Sequence, residues 1–152
     1  MEAGTERILL SIGVLSLLII GCAGVRPVNL GIKDGKLAPC PSSPNCVSSQ
    51  SADREHAIEP LSFTGTVTEA HAEIKKIILS MKRSRIITDT DSYIHAEFTS
   101  AIFRFVDDVE FWFDEGTKVI HVRSAARLGH SDLGVNRKRV EDIRARWKVS
   151  GK

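Results

Sequence analysis

The chain has 152 residues, of which 42% are hydrophobic and 26% are charged, as in an ordinary globular protein of one domain with a terminal extension. Its formal net charge of +2 excludes a globally basic protein, and we predict no nucleic-acid partner. The basic residues are concentrated near the C-terminus: residues 123–148 contain eight arginines or lysines and only three acidic residues.

The N-terminus is typical of an export signal. An uncharged, mostly apolar run extends from Ile8 to Val25. Its apolar part has the length of a signal-peptide core, roughly 7–15 residues, whereas a bilayer-spanning helix needs about 20. The run ends in "LIIGC", which resembles a bacterial lipobox with Gly21 before Cys22. We therefore predict a signal peptide over residues 1–21 and lipidation of Cys22, with an uncleaved N-terminal anchor helix as the alternative.

Lipidation of Cys22 would attach the chain to a membrane, because acyl chains such as palmitate bury many CH₂ groups without a spanning helix. The expected location is therefore outside the cytoplasm, anchored to the bacterial cell envelope. Ala23 follows the cysteine, which favours the outer membrane, facing the periplasm, if the cell is Gram-negative. The oligomeric state cannot be predicted from these features.

Residues 22–38 are rich in Gly and Pro and are interpreted as a flexible tether, followed by one domain over residues 39–150. In "CPSSPNCVSSQ", Cys40 and Cys46 form an even pair once Cys22 is lipidated, and we predict a disulfide. The alternatives are a redox dithiol and a metal pair. Redox motifs favour Cys-x-x-Cys, and a zinc site would need further ligands at close spacing, so we predict no metal and no cofactor.

The stretch "TVTEAHAEIKKIILSMKRS" predicts the first helix of the domain. Thr66 and Glu69 have the spacing of a capping box. The apolar residues after them recur at helical spacing and form one stripe, which consists of Ala70, Ile74, Ile77, Ile78 and Met81.

Four predicted strands follow the helix: "RIITDT", "SYIHAEFTS", "IFRFVDDVEFWFDEG" and "KVIHVRSAA". Their alternation and the short connections between them favour antiparallel pairing. A second helix, "GVNRKRVEDIRARWKVS", would direct Val140, Ile143 and Trp147 inward. The predicted fold class is α+β, with an antiparallel sheet of about four strands and two helices packed on one face.

Several long motifs resemble the family known as domain of unknown function 1499. They are "CPSSPNCVSSQ", "YIHAEFTS", "FVDDVEFWFDE" and "VRSAARLGHSDLGVNRKRVEDIR", and the resemblance covers Pro39 to Trp147. Ala126 stands in "RSAAR" where the family more often has serine, so any role of that hydroxyl is absent here. The resemblance implies a common fold and an envelope context but no mechanism, because the family has no established activity.

The loop "RSAARLGHSDLGVNRKR" contains the candidate ligand-binding residues. Arg123 and Arg127 lie at the end of the last strand, and Arg137 lies near the start of the last helix. Together with Asp132 and Asn136 they would converge near that helix start, where backbone donors and guanidinium groups bind anions. We predict a binding domain for an anionic or lipid-like ligand.

The alternative for the same loop is structural, in a module that serves a protein partner. Asp132 would pair with Arg123 or Arg127 and hold the loop in place, since buried arginine–carboxylate pairs need no ligand. Further acidic partners for the arginines lie on the preceding strand, at Asp107, Asp108 and Glu110.

An enzymatic function is the least favoured prediction, and no catalytic residue is assigned. Residues 130–132 supply His, Ser and Asp, but consecutive residues cannot form a triad, whose members come from separate elements. Asp107 and Asp108 are also consecutive, so on a strand they point to opposite faces. Asp108 and Glu110 share a face, which would permit metal binding or acid–base chemistry. No histidine at a suitable spacing supports either role. An uncharacterised hydrolase stays the third hypothesis.

Overall fold

The structure, a computed structural model, describes residues 23–149. The predicted signal peptide and Cys22 lie outside these residues. Two helices are present in the described part: α1, Val67–Ser80, and α2, Val135–Val149. Its six strands are β1, Cys46–Ser48; β2, Leu61–Ser62; β3, Ser84–Thr90; β4, Tyr93–Thr99; β5, Val106–Asp114; and β6, Val119–Ala126.

All six strands form one antiparallel sheet in the order β1-β6-β5-β4-β3, with β2 also paired to β6. The α+β class is confirmed, but the sheet has six strands where about four were predicted. The additional strands β1 and β2 have three and two residues, which is too short for an alternating pattern to appear in the sequence. They are defined by backbone pairing to β6.

Helix α1 begins at the predicted capping box. The Thr66 hydroxyl accepts from the Glu69 N–H, and the Glu69 carboxylate accepts from the Thr66 N–H at 3.0 Å. Helix α2 buries the three predicted residues Val140, Ile143 and Trp147. Both helices therefore present their apolar stripes to the sheet.

The hydrophobic core lies between the helices and one face of the sheet. Alternate residues of the central strands point into it because side chains alternate across a strand; they are Ile94, Ala96 and Phe98 of β4, Val109, Phe111 and Phe113 of β5, and Ile120 and Val122 of β6. We call the opposite face, which is turned away from the helices, the outer face. Within residues 23–149 neither helix has the length and hydropathy needed to cross a membrane.

Residues 24–37 lie along the outer face, and we call them the cover segment. They belong to the stretch interpreted as a tether, and they contain no helix or strand apart from a tight turn between Lys33 and Lys36. Arg26 forms an ion pair with Glu97, with Nη2 and Oε1 2.6 Å apart. Farther along, the Leu37 N–H donates to Gln50, and the Leu37 side chain is buried. The outer face is thus partly covered by the cover segment.

Candidate functional site

The outer face of the sheet carries a row of buried ionisable side chains. Register pairs His95 with Glu110 and Glu110 with Arg123 across three neighbouring strands. Residues two positions apart share a face, so Asp108 lies beside Glu110 on the same side of β5. Each of these four residues is at most 5% exposed. Charges buried this deeply require partners, and two clusters supply them.

The first cluster is centred on Asp108. Arg127 donates to both of its oxygens, Nε to Oδ2 and Nη2 to Oδ1, each at 2.7 Å. His95 Nε2 lies 2.8 Å from Oδ1, and Arg127 also bridges to Glu97. Burial raises the pKa of Asp108, but hydrogen bonds from Arg127 and His95 outweigh that effect and hold the pKa below its usual range. The carboxylate is therefore ionised, and both of its oxygens accept hydrogen bonds from side chains of the protein.

Glu97 completes this cluster at its more accessible side. Burial raises its pKa, whereas hydrogen bonds from Arg127 and from Arg26 of the cover segment lower it, and the net pKa is below the usual value. The pKa of Arg127 is raised by its hydrogen bonds to both carboxylates, and the bond to Asp108 has the larger effect. The cover segment therefore contributes a charge to the outer face.

The second cluster is centred on Glu110, whose side chain is fully buried. Its Oε1 accepts from the Tyr93 hydroxyl and from the Gly31 backbone N–H, both at 2.8 Å. Its Oε2 accepts from Arg123 Nη1 at 3.2 Å. The Arg123 Nε is buried without a hydrogen-bond partner among the described residues. Burial, followed by the nearby Glu110 charge, raises the pKa of Tyr93, so the phenol is a donor at neutral pH.

A separate polar group lies on the helix side of the sheet. The Asn136 side chain accepts from the Ser124 hydroxyl and donates to the Asn45 carbonyl and the Asp132 carboxylate. Asp132 also accepts from the Asn136 backbone N–H at 2.7 Å, which satisfies one of the free donors at the start of α2. Its role in the structure is thus to cap this helix.

The five predicted ligand residues do not converge. Arg123 and Arg127 lie on the outer face, whereas Asp132 and Asn136 lie at the helix start and contact neither arginine. Arg137 donates to the backbone carbonyls of residues 55 and 57. Arg123 pairs with Glu110 of β5, and Arg127 pairs with Asp108 of β5 and Glu97 of β4. The two β5 carboxylates are among the further acidic partners that the sequence suggests for the arginines.

A cleft lies where the cover segment meets the loop after β1. It has a volume of about 610 Å³ and is lined by residues from 29–40 and 48–53. Cys40 in its wall is disulfide-bonded to Cys46, with Cα atoms 5.6 Å apart, which confirms the predicted pair. Lys33 and Lys36 are exposed at the cleft, and neither ammonium group forms an ion pair with a described residue. The sequence did not predict this cleft, because residues 22–38 were interpreted as a flexible tether that packs against nothing.

Comparison with known families identifies the domain. The pattern of the family described as "Protein of unknown function (DUF1499)" matches residues 36–146, which is well over half of the chain. The chain belongs to this family. No curated protein and no solved structure matches the chain.

The DUF1499 match includes the strand residues of both charge clusters and helix α2 up to residue 146. It excludes residues 24–35, which supply Arg26 and Gly31 to those clusters. The family description assigns no function, so the chemistry has to be inferred from the residues of this chain.

We searched the described residues for metal sites and for pairs of a nucleophile and a base. No group of three or more His, Cys, Asp or Glu side chains within 23–149 is placed to hold a metal ion. The Ser49 hydroxyl lies 3.3 Å from Nδ1 of His121, but it also accepts from the Val122 N–H. No described carboxylate hydrogen-bonds to His121, whose pKa is lowered by burial. This serine–histidine pair therefore lacks, among residues 23–149, the third group that orients the base beside an activated nucleophile.

Proposed function

We propose that this DUF1499 protein is an envelope-anchored lipoprotein whose domain binds a small anionic ligand in the cleft between the cover segment and the loop after β1. The observation that carries the binding part is the pair of unpaired lysines, Lys33 and Lys36, at the rim of a concave site of about 610 Å³. Ligand sites are typically concave, of several hundred Å³, with a few convergent polar groups.

The charges around the cleft favour an anion. Two carboxylates line the cleft. One of them, Asp53, is paired with His56, whose Nδ1 lies 2.8 Å from Oδ2. Hydrogen bonding from His56 is the largest cause that lowers the pKa of Asp53 to about 2. Asp34 is the other lining carboxylate, so two free ammonium groups face one free carboxylate. A carboxylate or phosphate group would add charge-assisted hydrogen bonds from the lysines.

Native mass spectrometry of the full chain extracted from membranes tests this binding. We expect a retained small molecule, lost from the Lys33→Gln/Lys36→Gln variant and kept by Lys82→Gln, which removes an exposed lysine elsewhere. Titration with inorganic phosphate should show the same ranking of affinities. A wild-type protein without adduct, and with equal phosphate affinity in all three proteins, would contradict the proposal.

The anchoring part is supported by the lipobox-like "LIIGC" that precedes the described domain. Mass spectrometry of the N-terminal peptide should find an acylated Cys22. An unmodified chain that starts at Met1 would replace the lipid anchor with the N-terminal helix alternative.

A second candidate is an interaction module for a protein partner. It is favoured by the internal pairing of Arg123 with Glu110 and of Arg127 with Asp108. It predicts that no small molecule is retained and that cross-linking in intact cells joins the chain to another envelope protein.

A further inference from the structure

Two loops at one end of the sheet expose large apolar side chains. The loop between β4 and β5 exposes Ile102 by 82% and Phe103 by 65%, with Phe105 at 43%. The loop between β6 and α2 exposes Leu128 by 42% and Leu133 by 94%. We call these five residues the apolar end. Such a group of exposed apolar side chains is typical of an interaction site.

The two loops emerge side by side. The Arg127 N–H donates to the Val106 carbonyl at 3.2 Å, which joins the first residue of the second loop to the residue that directly follows the first loop. The first loop is closed by Ser100, whose N–H donates to the Phe105 carbonyl and whose hydroxyl accepts from the Phe105 N–H. The rings of Phe103 and Phe105 lie 5.7 Å apart. The first loop is therefore held in shape by its own hydrogen bonds, and the second loop emerges beside it.

The N-terminal start of the domain lies at this same end. A Cβ at Gly24 would lie 3.0 Å from Arg127 Cβ and 3.1 Å from Leu128 Cγ, so the backbone passes directly beside the second loop. Two residues of chain span at most about 7 Å, and Cys22 is two residues before Gly24. A membrane attachment at Cys22 would therefore lie no more than about 7 Å from Gly24, which passes beside the second loop.

The charges at this end suit a lipid surface. Arg104 lies between the two phenylalanines of the first loop, and Arg83 lies beside that loop, where its Nε donates to the Thr99 carbonyl. Neither arginine forms an ion pair with a described residue. Apolar side chains flanked by free basic groups are typical of proteins that lie in the interface of an anionic membrane.

We propose that the apolar end inserts into the headgroup region of the bilayer to which the N-terminus is anchored, so that the domain stands on the membrane in one fixed orientation. This proposal rests on the proposed anchoring at Cys22. A bilayer is favoured over a protein partner because the proposed anchor lies two residues before Gly24, whose backbone passes beside Leu128. Docking also opposes extraction, since the anchor and the apolar end must leave together.

Tryptophan quenching by brominated lipids tests this contact. Full-length Phe103→Trp protein is reconstituted into vesicles of phosphatidylethanolamine and phosphatidylglycerol, with bromines at shallow or deep acyl positions. The matched control is Val149→Trp, at a position that is more exposed than Phe103 (90% against 65%) but lies at the far end of α2, where Trp147 donates to the Ser62 carbonyl. We expect the added tryptophan at 103 to lose emission, most with shallow bromines, and the one at 149 to be unaffected.

The outcomes separate the two proposals. Protein that floats with the vesicles but shows no added quenching at 103 would overturn docking and leave the anchor intact. Protein that does not float would overturn both. Cross-linking through position 103 to a second copy or to another envelope protein, without quenching, would assign the apolar end to a protein partner. A further variant, Arg104→Asn, should reduce the quenching in phosphatidylglycerol vesicles and leave it unchanged in phosphatidylcholine.

Discussion

Replacing Arg127 with alanine should destabilise the domain strongly. The guanidinium makes two hydrogen bonds to Asp108, which is 1% exposed, and one to Glu97. Its removal leaves Asp108 buried with His95 as its remaining side-chain partner. Breaking a buried ion pair from one side typically costs about 3–5 kcal/mol. For a domain of this size the melting temperature should fall by roughly 10–20 °C.

The pH dependence of this loss identifies its cause. In the wild type the pKa of Asp108 is lowered, so its stabilising contribution is present above the unfolded pKa of about 3.9 and is lost as pH falls through the folded pKa. Without Arg127 the burial effect is less opposed, so the pKa of Asp108 rises and the destabilisation is relieved as pH falls. The difference in stability between wild type and variant should therefore shrink from neutral towards acid pH.

Urea unfolding with the disulfide intact measures both effects. The control is Arg146→Ala, which removes an exposed i,i+4 pair with Asp142 and should cost less than about 1 kcal/mol. An Arg127→Ala protein as stable as this control at neutral pH would refute the account of Arg127 as an internal structural partner, and would return it to the ligand-binding candidates.

Three further predictions concern local features. Opening the Cys40–Cys46 disulfide by a double serine substitution should cost about 2 kcal/mol, because the closed loop is short; an unchanged urea midpoint would contradict this. Thr66→Ala should cost about 1 kcal/mol through loss of the capping box, measured in the same way, whereas an unchanged stability would mean that the first turn does not depend on its cap. Hydrogen bonding to Asp53 raises the pKa of His56, so its stabilising contribution is complete below the unfolded pKa of about 6.5 and is lost as pH rises through the folded pKa. NMR titration should therefore find that the pKa of His56 lies above the ordinary histidine value of about 6.5, and Asp53→Asn should lower that pKa; an unshifted histidine would refute the pairing.

Local patterns in the sequence predicted the elements that local forces define. The capping box at Thr66 and the apolar stripe of α1 depend on residues within a few turns of each other, and the alternation in β4, β5 and β6 reflects which side of each strand meets the core. The short connections between strands then favour antiparallel neighbours. These features account for the fold class and for the face that the helices cover.

Contacts between distant residues could not be predicted in this way. Strands β1 and β2 and the cover segment are positioned by backbone groups and single ion pairs, such as Arg26 with Glu97, 71 residues apart, and the Gly31 N–H with Glu110. Asp132 illustrates the same difficulty at short range. Its carboxylate is held by backbone N–H groups at the start of α2, so it does not reach the arginines that its charge suggested as partners.

The cover segment also affects how the domain should be delimited in the laboratory. The family pattern begins at residue 36, after Arg26 and Gly31, so protein trimmed to that pattern would keep Glu97 and Glu110 but lose two of their partners. Its sheet would carry acidic groups on a face newly open to water, next to Arg123, whose Nε already lacks a partner. A recombinant protein that starts at Ala23 would retain the cover segment and its contacts, whereas a trimmed one would expose the outer face of the sheet.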